Sequence, residues 1–540
     1  MKSKTTMPTS SSLDRPDAAL PESPQAPYPR VKEAKTYLSP AELKTIVRYL
    51  TSSNHHYFSK DNQLKVPFKH HLQLPDPTVA LFRWTYPELC WHADILEKAG
   101  FTSGRQVLEL GSGNNNLVTS PALTSYLKQL CSDTYVLSNY SGGRGDYFGL
   151  QHLAQAISHR MRYSSGEDVE LSHLHLCHTS GAQGGITGVA DFFATFHQGQ
   201  SVALADSTYC GMYAPLVTRG VPVSFIATEQ HSKLPRVEEI LAALQRPEIV
   251  AYFLIPFHNP SGECYSESEM ATLCAAVQNT GKYLIVSEVY DGMNWNCSTD
   301  ITSEIDRVVV NTGTKNIIRM FSLSKSRGLA GLRAGYVLST EAICTHIAQV
   351  NALHSFNPPM INAKLLLLHE LLSLHSRTRA KMSDALEYLG ISAEHFKRLF
   401  AEHSLERQAL NVQCLHNFKI VAERLLRRPI TTDELRGDQS VISNEHYDII
   451  IPRGGMNCSV RMKYLEQYDQ IDLFRKTYLW SGLIMHTSRY LSKESGTWVR
   501  ITLTHAPEVI EQGVETLIEL ESAHSHFDLE PQDTIVNTII

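Results

Sequence analysis

The stretch "MFSLSKSRGLAGLRAGYVLS", Met320 to Ser339, sets one lysine between serines, follows it with three glycines and two arginines, and closes on an apolar run. The preceding "RVVVNTGTKNIIRMFSLS", Arg307 to Ser324, holds two apolar or β-branched runs and "AGYVLS" is a third. Lys325 is therefore expected in a connection between short, buried strands. Glycines at 328, 331 and 335 let backbone approach closely, and the serines and an arginine supply the donors an anionic group needs. A lysine partly removed from water has its ammonium form disfavoured, which frees the amine for Schiff-base chemistry. A small molecule carrying both an aldehyde and a phosphate, such as pyridoxal 5'-phosphate (PLP), suits that combination.

Outward from this stretch, residues from about 170 to 340 alternate short apolar runs with longer amphipathic segments. The runs are "SVALAD", "VPVSFI", "IVAYFLIP", "KYLIVSEVY", "RVVVNTG", "MFSLS" and "AGYVLS". Such alternation predicts an α/β lobe whose sheet is mostly parallel and covered on both faces. Helical patterns dominate from 340 to 427, and the polar stretch "RRPITTDELRGDQSVISNEHYD" reads as an inserted loop. Beyond it, "YDIIIPRGG", "GLIMHTS" and "TWVRITLTH" read as strands of a second, smaller lobe, closed by a helix from about 507 to 524. Near the start, "SPAELKTIVRYLTSS" reads as a helix with Ser39 as N-cap before Pro40.

The chain has 540 residues, of which 42% are hydrophobic and 19% charged, enough for two or more packed lobes. Its 49 basic and 55 acidic residues give a formal charge of −6 with no basic run, so a nucleic-acid partner is not expected. The ten cysteines show no C-x-x-C pair and no metal-ligand spacing. They read as reduced thiols, with no metal, in a cytoplasmic setting. No apolar run reaches 18 residues, so no membrane span is expected. Residues 1–30 are rich in Pro, Ser and Ala without an apolar signal segment, and read as a disordered tail.

Three further motifs carry chemistry. "RQVLELGSGNNNL", Arg105 to Leu117, has the strand and G-x-G of a dinucleotide fingerprint, but lacks the third glycine and the acidic residue about 20 positions on that binds ribose. "CHTSGAQGGITGVADFF", Cys177 to Phe193, puts glycines ahead of an apolar-periodic helix, where exposed N–H groups and the helix dipole attract an anion. "IPFHNPSGECYSESE", Ile255 to Glu269, follows a strand, and Pro260 restricts Asn259 to an extended backbone that fixes the direction of its amide.

The order Ser-Gly-Ala-Gln, "HNPSG", "SEVY", "SLSKSRGLAGLRAGY", "WVRITLTH" resembles the class I/II aminotransferase family, PLP enzymes of fold type I, from roughly residue 105 to 524. Within it, "GDYFGLQHLAQAI", Gly145 to Ile157, is similar to the D-Y-x-G-L segment of 1-aminocyclopropane-1-carboxylate (ACC) synthases. The resemblance implies a large lobe with a mostly parallel seven-stranded sheet and a smaller α+β C-terminal lobe. It divides the chain into a tail (1–30), an N-terminal segment contributing to the small lobe (31–140), a PLP-binding domain (141–350), a C-terminal small domain with a polar insertion near 428–449 (351–524) and a second tail (525–540).

By match, the resemblance makes Lys325 the Schiff-base residue and acid/base. It places phosphate on Ser322, Ser324, Arg333 and the backbone of Gly181 and Ala182. Tyr209 would stack on the cofactor ring, Asn259 and Tyr290 would bond the ring oxygen, and Tyr147 would reach phosphate from the other subunit of a homodimer. Arg500 would take the carboxylate of an amino-acid substrate, beside Gly113 and Asn114.

Two positions depart from the family. Its aspartate at the pyridinium nitrogen is Ser287 here, in "LIVSEVYDGM", so the ring proton loses its charge partner unless a one-residue slip brings in Glu288. The ACC synthase motif G-x-x-E-N-x-L aligns with "GSGNNNL", Gly111 to Leu117, and puts Asn114 where those enzymes have glutamate. The expectation is a PLP enzyme acting at Cα of an α-amino acid, with amino transfer to a 2-oxo acid leading. An ACC synthase-like elimination or replacement and a non-catalytic binding descendant remain open.

Overall fold

The computed structural model describes residues 108–523, interrupted at 112, 118, 139–143, 167–173, 210, 229–231, 298–299, 314, 356–357, 379–382, 438, 467–476, 478–480 and 488–497. The expected tails, the helix after Ser39 and the rest of the segment before residue 108 lie outside the described residues.

The described strands run in chain order from β1 (Leu108–Glu109) through β2 (His175–Ser180), β3 (Ser201–Ala205), β4 (Val223–Ile226), β5 (Ile249–Leu254), β6 (Tyr283–Ser287), β7 (Ile317–Ser322) and β8 (Ala334–Ser339). They continue as β9 (Val441–Ser443), β10 (Tyr447–Ile450), β11 (Asn457–Met462), β12 (Leu483–Ile484), β13 (His486–Thr487) and β14 (Trp498–Thr502). The central sheet has seven strands in the order β2-β8-β7-β6-β5-β3-β4, all parallel except β8, which runs antiparallel to both its neighbours. Every residue of β5, β7 and β8 is buried, as a sheet covered on both faces requires. The expected α/β architecture is present.

Two sequence expectations are corrected. "RVVVNTG" is not a strand but the end of a helix, Ile301–Thr312. Asp300 caps it by accepting from the Thr302 N–H at 3.1 Å, and Ile301, Ile305, Val308 and Val309 form one buried face. A capped 3.6-residue period thus outweighs the β-branched composition. The polar stretch before residue 450 is not a loop either. A short helix, Thr432–Arg436, starts on a Thr431–Glu434 capping box, and β9 then pairs with β10 at one edge of the second sheet.

That second sheet is antiparallel, in the order β13-β14-β11-β10-β9. The expected strand in "GLIMHTS" splits into β12 and β13, and β12 pairs in parallel with β1. The closing helix, Pro507–Ala523, lies against the long helix Ala393–Leu426.

Candidate active site

The carboxyl ends of the parallel strands converge on a cavity of about 450 Å³. In open α/β sheets this edge is where loops bring polar groups together over a rigid floor. Gly113, Asn114, Ala182, Tyr209, Asn259, Ser287, Tyr290, Ser322, Ser324, Lys325, Arg333 and Arg500 all line it, so residues separated by up to several hundred positions meet in one space. Gly181 stands directly behind the Arg333 guanidinium. Tyr147 falls in the first turn of the helix Arg144–Ser165, and its side chain lies outside the described residues.

Lys325 occupies the turn after β7, expected from its serine and glycine neighbours. Its Nζ donates to the Gly113 carbonyl at 2.5 Å, and its own carbonyl accepts from Asn115 Nδ2 at 2.9 Å. Burial, helped by the Arg500 and Arg333 guanidinium groups, pushes the ammonium down to about 8.

One end of the cavity is an anion cradle. The helix Gly181–Phe196 begins at this edge, and its N-cap Ser180 makes no side-chain capping bond. Gly181 adopts φ +68°, and a Cβ there would stand 3.1 Å from Arg333 Nη2. Gly335 is required by the same crowding, since a Cβ on it would come within 2.8 Å of the Gly181 backbone. Arg333 itself takes the left-handed conformation, φ 54°, after a 3₁₀ turn at Ala330–Leu332. The hydroxyls of Ser322 and Ser324 lie 2.8 Å apart beside it.

Arg500 defines the other end. It projects from β14, is 2% exposed, and donates from Nη1 to Asn259 Oδ1 at 3.1 Å and from Nη2 to the Gly111 carbonyl. Asn457 Nδ2 donates to the Tyr290 hydroxyl at 3.3 Å, and burial raises that hydroxyl's pKa. The Tyr209 ring fills the space that a side chain on Gly211 would take, and Gln183 Nε2 holds the Gly211 carbonyl at 3.1 Å.

Ser287 and Glu288 are both 3% exposed, yet only Ser287 faces the cavity. Glu288 turns away to Arg319 at 2.6 and 2.8 Å, so the one-residue slip does not occur. The G-x-G of residues 111–113 follows β1 in the small-sheet region, not a strand of the central sheet, which removes the dinucleotide reading.

Sequence reasoning missed Glu109, Gln183, Ile186, Met212, Ile255 and Val289 on the cavity wall. Val289 stands two positions after Ser287, and Ile186 one helical turn after Ala182, so both were accessible from periodicity. Met212 carried no signal.

One amine of lowered pKa, a guanidinium and two hydroxyls around a helix N-terminus, and a second guanidinium opposite form a site for a doubly anionic ligand with a carbonyl between. The donor set and the close-packed Gly181 cradle fit PLP. Residues 105–412, more than half of the chain, match the model of the family described as aminotransferase class I and II. The chain belongs to that family, whose cofactor is PLP.

Similar proteins include the aspartate aminotransferase of Thermotoga maritima, 23% identical over 260 residues, covering 48% of this chain and 65% of that one. The arginine–pyruvate transaminase AruH of Pseudomonas aeruginosa is 26% identical over 260 residues, covering 48% of this chain and 62% of that one. The matches thus span just under two thirds of these relatives' length. Among solved structures, a Thermus thermophilus aspartate aminotransferase mutant superposes with TM-score 0.61 at 14% identity, covering 83% of this chain and 97% of that one. The T. maritima aspartate aminotransferase gives 0.58 at 18%, covering 81% and 96%. These likenesses establish fold type I.

Proposed function

We propose that the protein is a PLP-dependent aminotransferase that moves the amino group of an α-amino acid to a 2-oxo acid. The observation that carries this reading is Lys325, an amine of lowered pKa held between two guanidinium-based anion sites in one cavity. PLP, when bound, supplies an aldehyde that condenses with amines and a ring that withdraws electrons from the substrate's Cα.

The chain's residues do the rest. Arg333, Ser322, Ser324 and the N–H groups at Gly181 and Ala182 would hold the phosphate, and Tyr209, Asn259 and Tyr290 would fix the ring. Arg500 would orient the substrate carboxylate through its planar fork, beside Gly113 and Asn114. Lys325 Nζ would take the proton from Cα, being neutral in a useful fraction near pH 8.

Ser287 would leave the ring nitrogen with a hydroxyl and no charge, which suits elimination or replacement. The matched relatives are aminotransferases, which weighs for transfer. The ACC synthase likeness rests on Gly145–Ile157 alone. With Asn114 in the cavity in place of glutamate, ring closure is no part of this reading. Arg333 is exposed in the single chain, which, with the Tyr147 match, supports a homodimer whose partner completes the phosphate end; a cytoplasmic setting rests on cysteines without C-x-x-C or metal-ligand spacing. Residues 141–350 would form the PLP domain and 31–140 with 351–524 the small lobe, between tails at 1–30 and 525–540. Among the described residues no helix is long and apolar enough to cross a membrane.

The test is an absorbance spectrum from 300 to 550 nm, alone and with a panel of amino acids, for the wild type and Lys325→Ala. Transfer predicts a PLP band altered in the variant and an amino-acid-driven change to the pyridoxamine spectrum in the wild type. A protein that shows no band after incubation with PLP would be a binding descendant of the fold and would sink the enzyme reading.

A further inference from the structure

Among the described residues, the charged side chains lining the cavity are those of Lys325, Arg333, Arg500 and one carboxylate, Glu109. In the proposed function Arg333 serves phosphate, Arg500 the substrate carboxylate and Lys325 the reacting centre. Glu109 has no part in that chemistry. It is nonetheless rigidly placed. β1 pairs with β12, the Leu110 N–H donates to the Ile484 carbonyl at 2.9 Å, and the Thr502 N–H donates to the Leu110 carbonyl at 2.8 Å. Leu110 packs against Gly513 of the closing helix, so strand alternation turns Glu109 the other way, onto the cavity wall.

Gly111, whose carbonyl accepts from Arg500, follows Glu109 by two residues, a rise of about 7 Å along an extended chain. A substrate with its α-carboxylate on Arg500 therefore has the Glu109 carboxylate within reach of a side chain of three or four methylenes. The neighbouring imidazole adds no positive charge to oppose it. His505, whose Nδ1 lies 3.2 Å from Asn116 Nδ2, is kept toward its neutral form by burial and feels the Glu109 charge. A negative carboxylate beside a neutral imidazole attracts a cationic group and repels a second carboxylate.

We propose that Glu109 sets specificity for basic α-amino acids, those whose side chain ends in an ammonium or guanidinium. The inference rests on the aminotransferase reading but has its own test. Amino acids bearing a methyl group on Cα have no proton to lose there, so their binding to the PLP-loaded protein reports recognition without turnover. Dissociation constants for 2-methyllysine, 2-methylnorleucine and 2-methylglutamate would be read by absorbance or calorimetry for the wild type, Glu109→Gln and Glu109→Lys, with thermal melts to confirm folding.

The wild type should bind 2-methyllysine about ten-fold or more tighter than 2-methylnorleucine, as a charge-assisted hydrogen bond provides. Glu109→Gln should collapse that ratio, and Glu109→Lys should shift preference to 2-methylglutamate. A wild type that binds the basic and neutral compounds alike, or a ratio that survives Glu109→Gln, overturns the inference. In that case, amino acids that still convert the wild type to the pyridoxamine spectrum leave the aminotransferase reading standing. A wild type that answers to no amino acid at all removes both.

Discussion

The carboxyl edge of the central sheet carries charge on both of its faces, and the two faces treat it differently. Behind the sheet, Arg160 meets Asp306 and Glu370 at 2.9 Å each, and Arg319 meets Asp306 at 2.7 Å and Glu288 at 2.6 Å. The Tyr336 hydroxyl donates to Glu370 at 2.7 Å and closes that cluster. In front, Lys325, Arg333 and Arg500 line the cavity with Glu109 as the one carboxylate among the described lining residues. Ser287 and Glu288, adjacent on one chain, belong to opposite faces. Charges that the protein neutralises with its own groups are architecture; an excess of one sign around a cavity is a request for a ligand.

The two faces should answer mutation with opposite signs. The largest effect is expected behind the sheet. Asp306 is fully buried and accepts three hydrogen bonds from the two arginines, so Asp306→Asn removes the charge from all three while leaving Arg160 its Glu370 and Arg319 its Glu288. It should cost about 3–5 kcal/mol in urea unfolding, the scale for breaking a buried ion pair. A loss below about 1 kcal/mol would mean that this cluster is not closed on itself.

In front, removing a charge should stabilise. The Lys325 ammonium is pushed from 10.5 to about 8 by burial, then by Arg500 and Arg333. Between those pH values the unfolded chain binds the proton that the folded chain has lost, so wild-type stability rises with pH across that window. Below about pH 8 the full penalty is present. Lys325→Met in the cofactor-free protein should therefore be more stable than wild type by up to about 3 kcal/mol at pH 7, an upper bound from the shift, and the gain should fade toward pH 10.5. Urea midpoints of both proteins at pH 7 and pH 10 check the sign. A variant less stable at pH 7 would show that Lys325 is held by its contacts more than it is strained by its neighbours.

How much of this was legible depended on how far apart in sequence the interacting groups lie. The Arg333 end of the cavity was readable because Ser322, Ser324, Lys325, Gly328, Arg333 and Gly335 lie within one loop and its flanking strands, where local spacing fixes their meeting. The helix at Gly181 was readable from its glycines. Ser287 was legible as a departure because strand alternation fixes which neighbour faces the site. The closed cluster was not legible, since Arg160, Asp306, Arg319 and Glu370 come from separate elements and nothing local pairs them. Glu109 was missed for a related reason. Its wall is built by β1 joining β12 and β14 across hundreds of residues, and the G-x-G beside it drew attention to the wrong chemistry. "RVVVNTG" failed because composition was weighed above the cap at Asp300.

The smallest of the three effects sharpens the division within the cavity itself. Arg500 is aimed before any ligand arrives: Nη1 is spent on Asn259 and Nη2 on Gly111, which fixes the plane of the fork. Lysine at this position would keep the charge and lose the plane, offering a carboxylate one point where arginine offers two. Arg500→Lys should lower kcat/KM for amino-acid substrates by about thirty-fold, about 2 kcal/mol of charge-assisted hydrogen bonding. The loss should fall mainly on KM, because the carboxylate is held equally before and during proton removal at Cα. Stability should change little, since one cation replaces another, and the PLP band should persist because Lys325 and the Gly181 cradle are untouched. A variant that binds its substrate normally but turns over slowly would instead place Arg500 in the chemical step, and the division between a substrate end and a lysine end of the cavity would have to be redrawn.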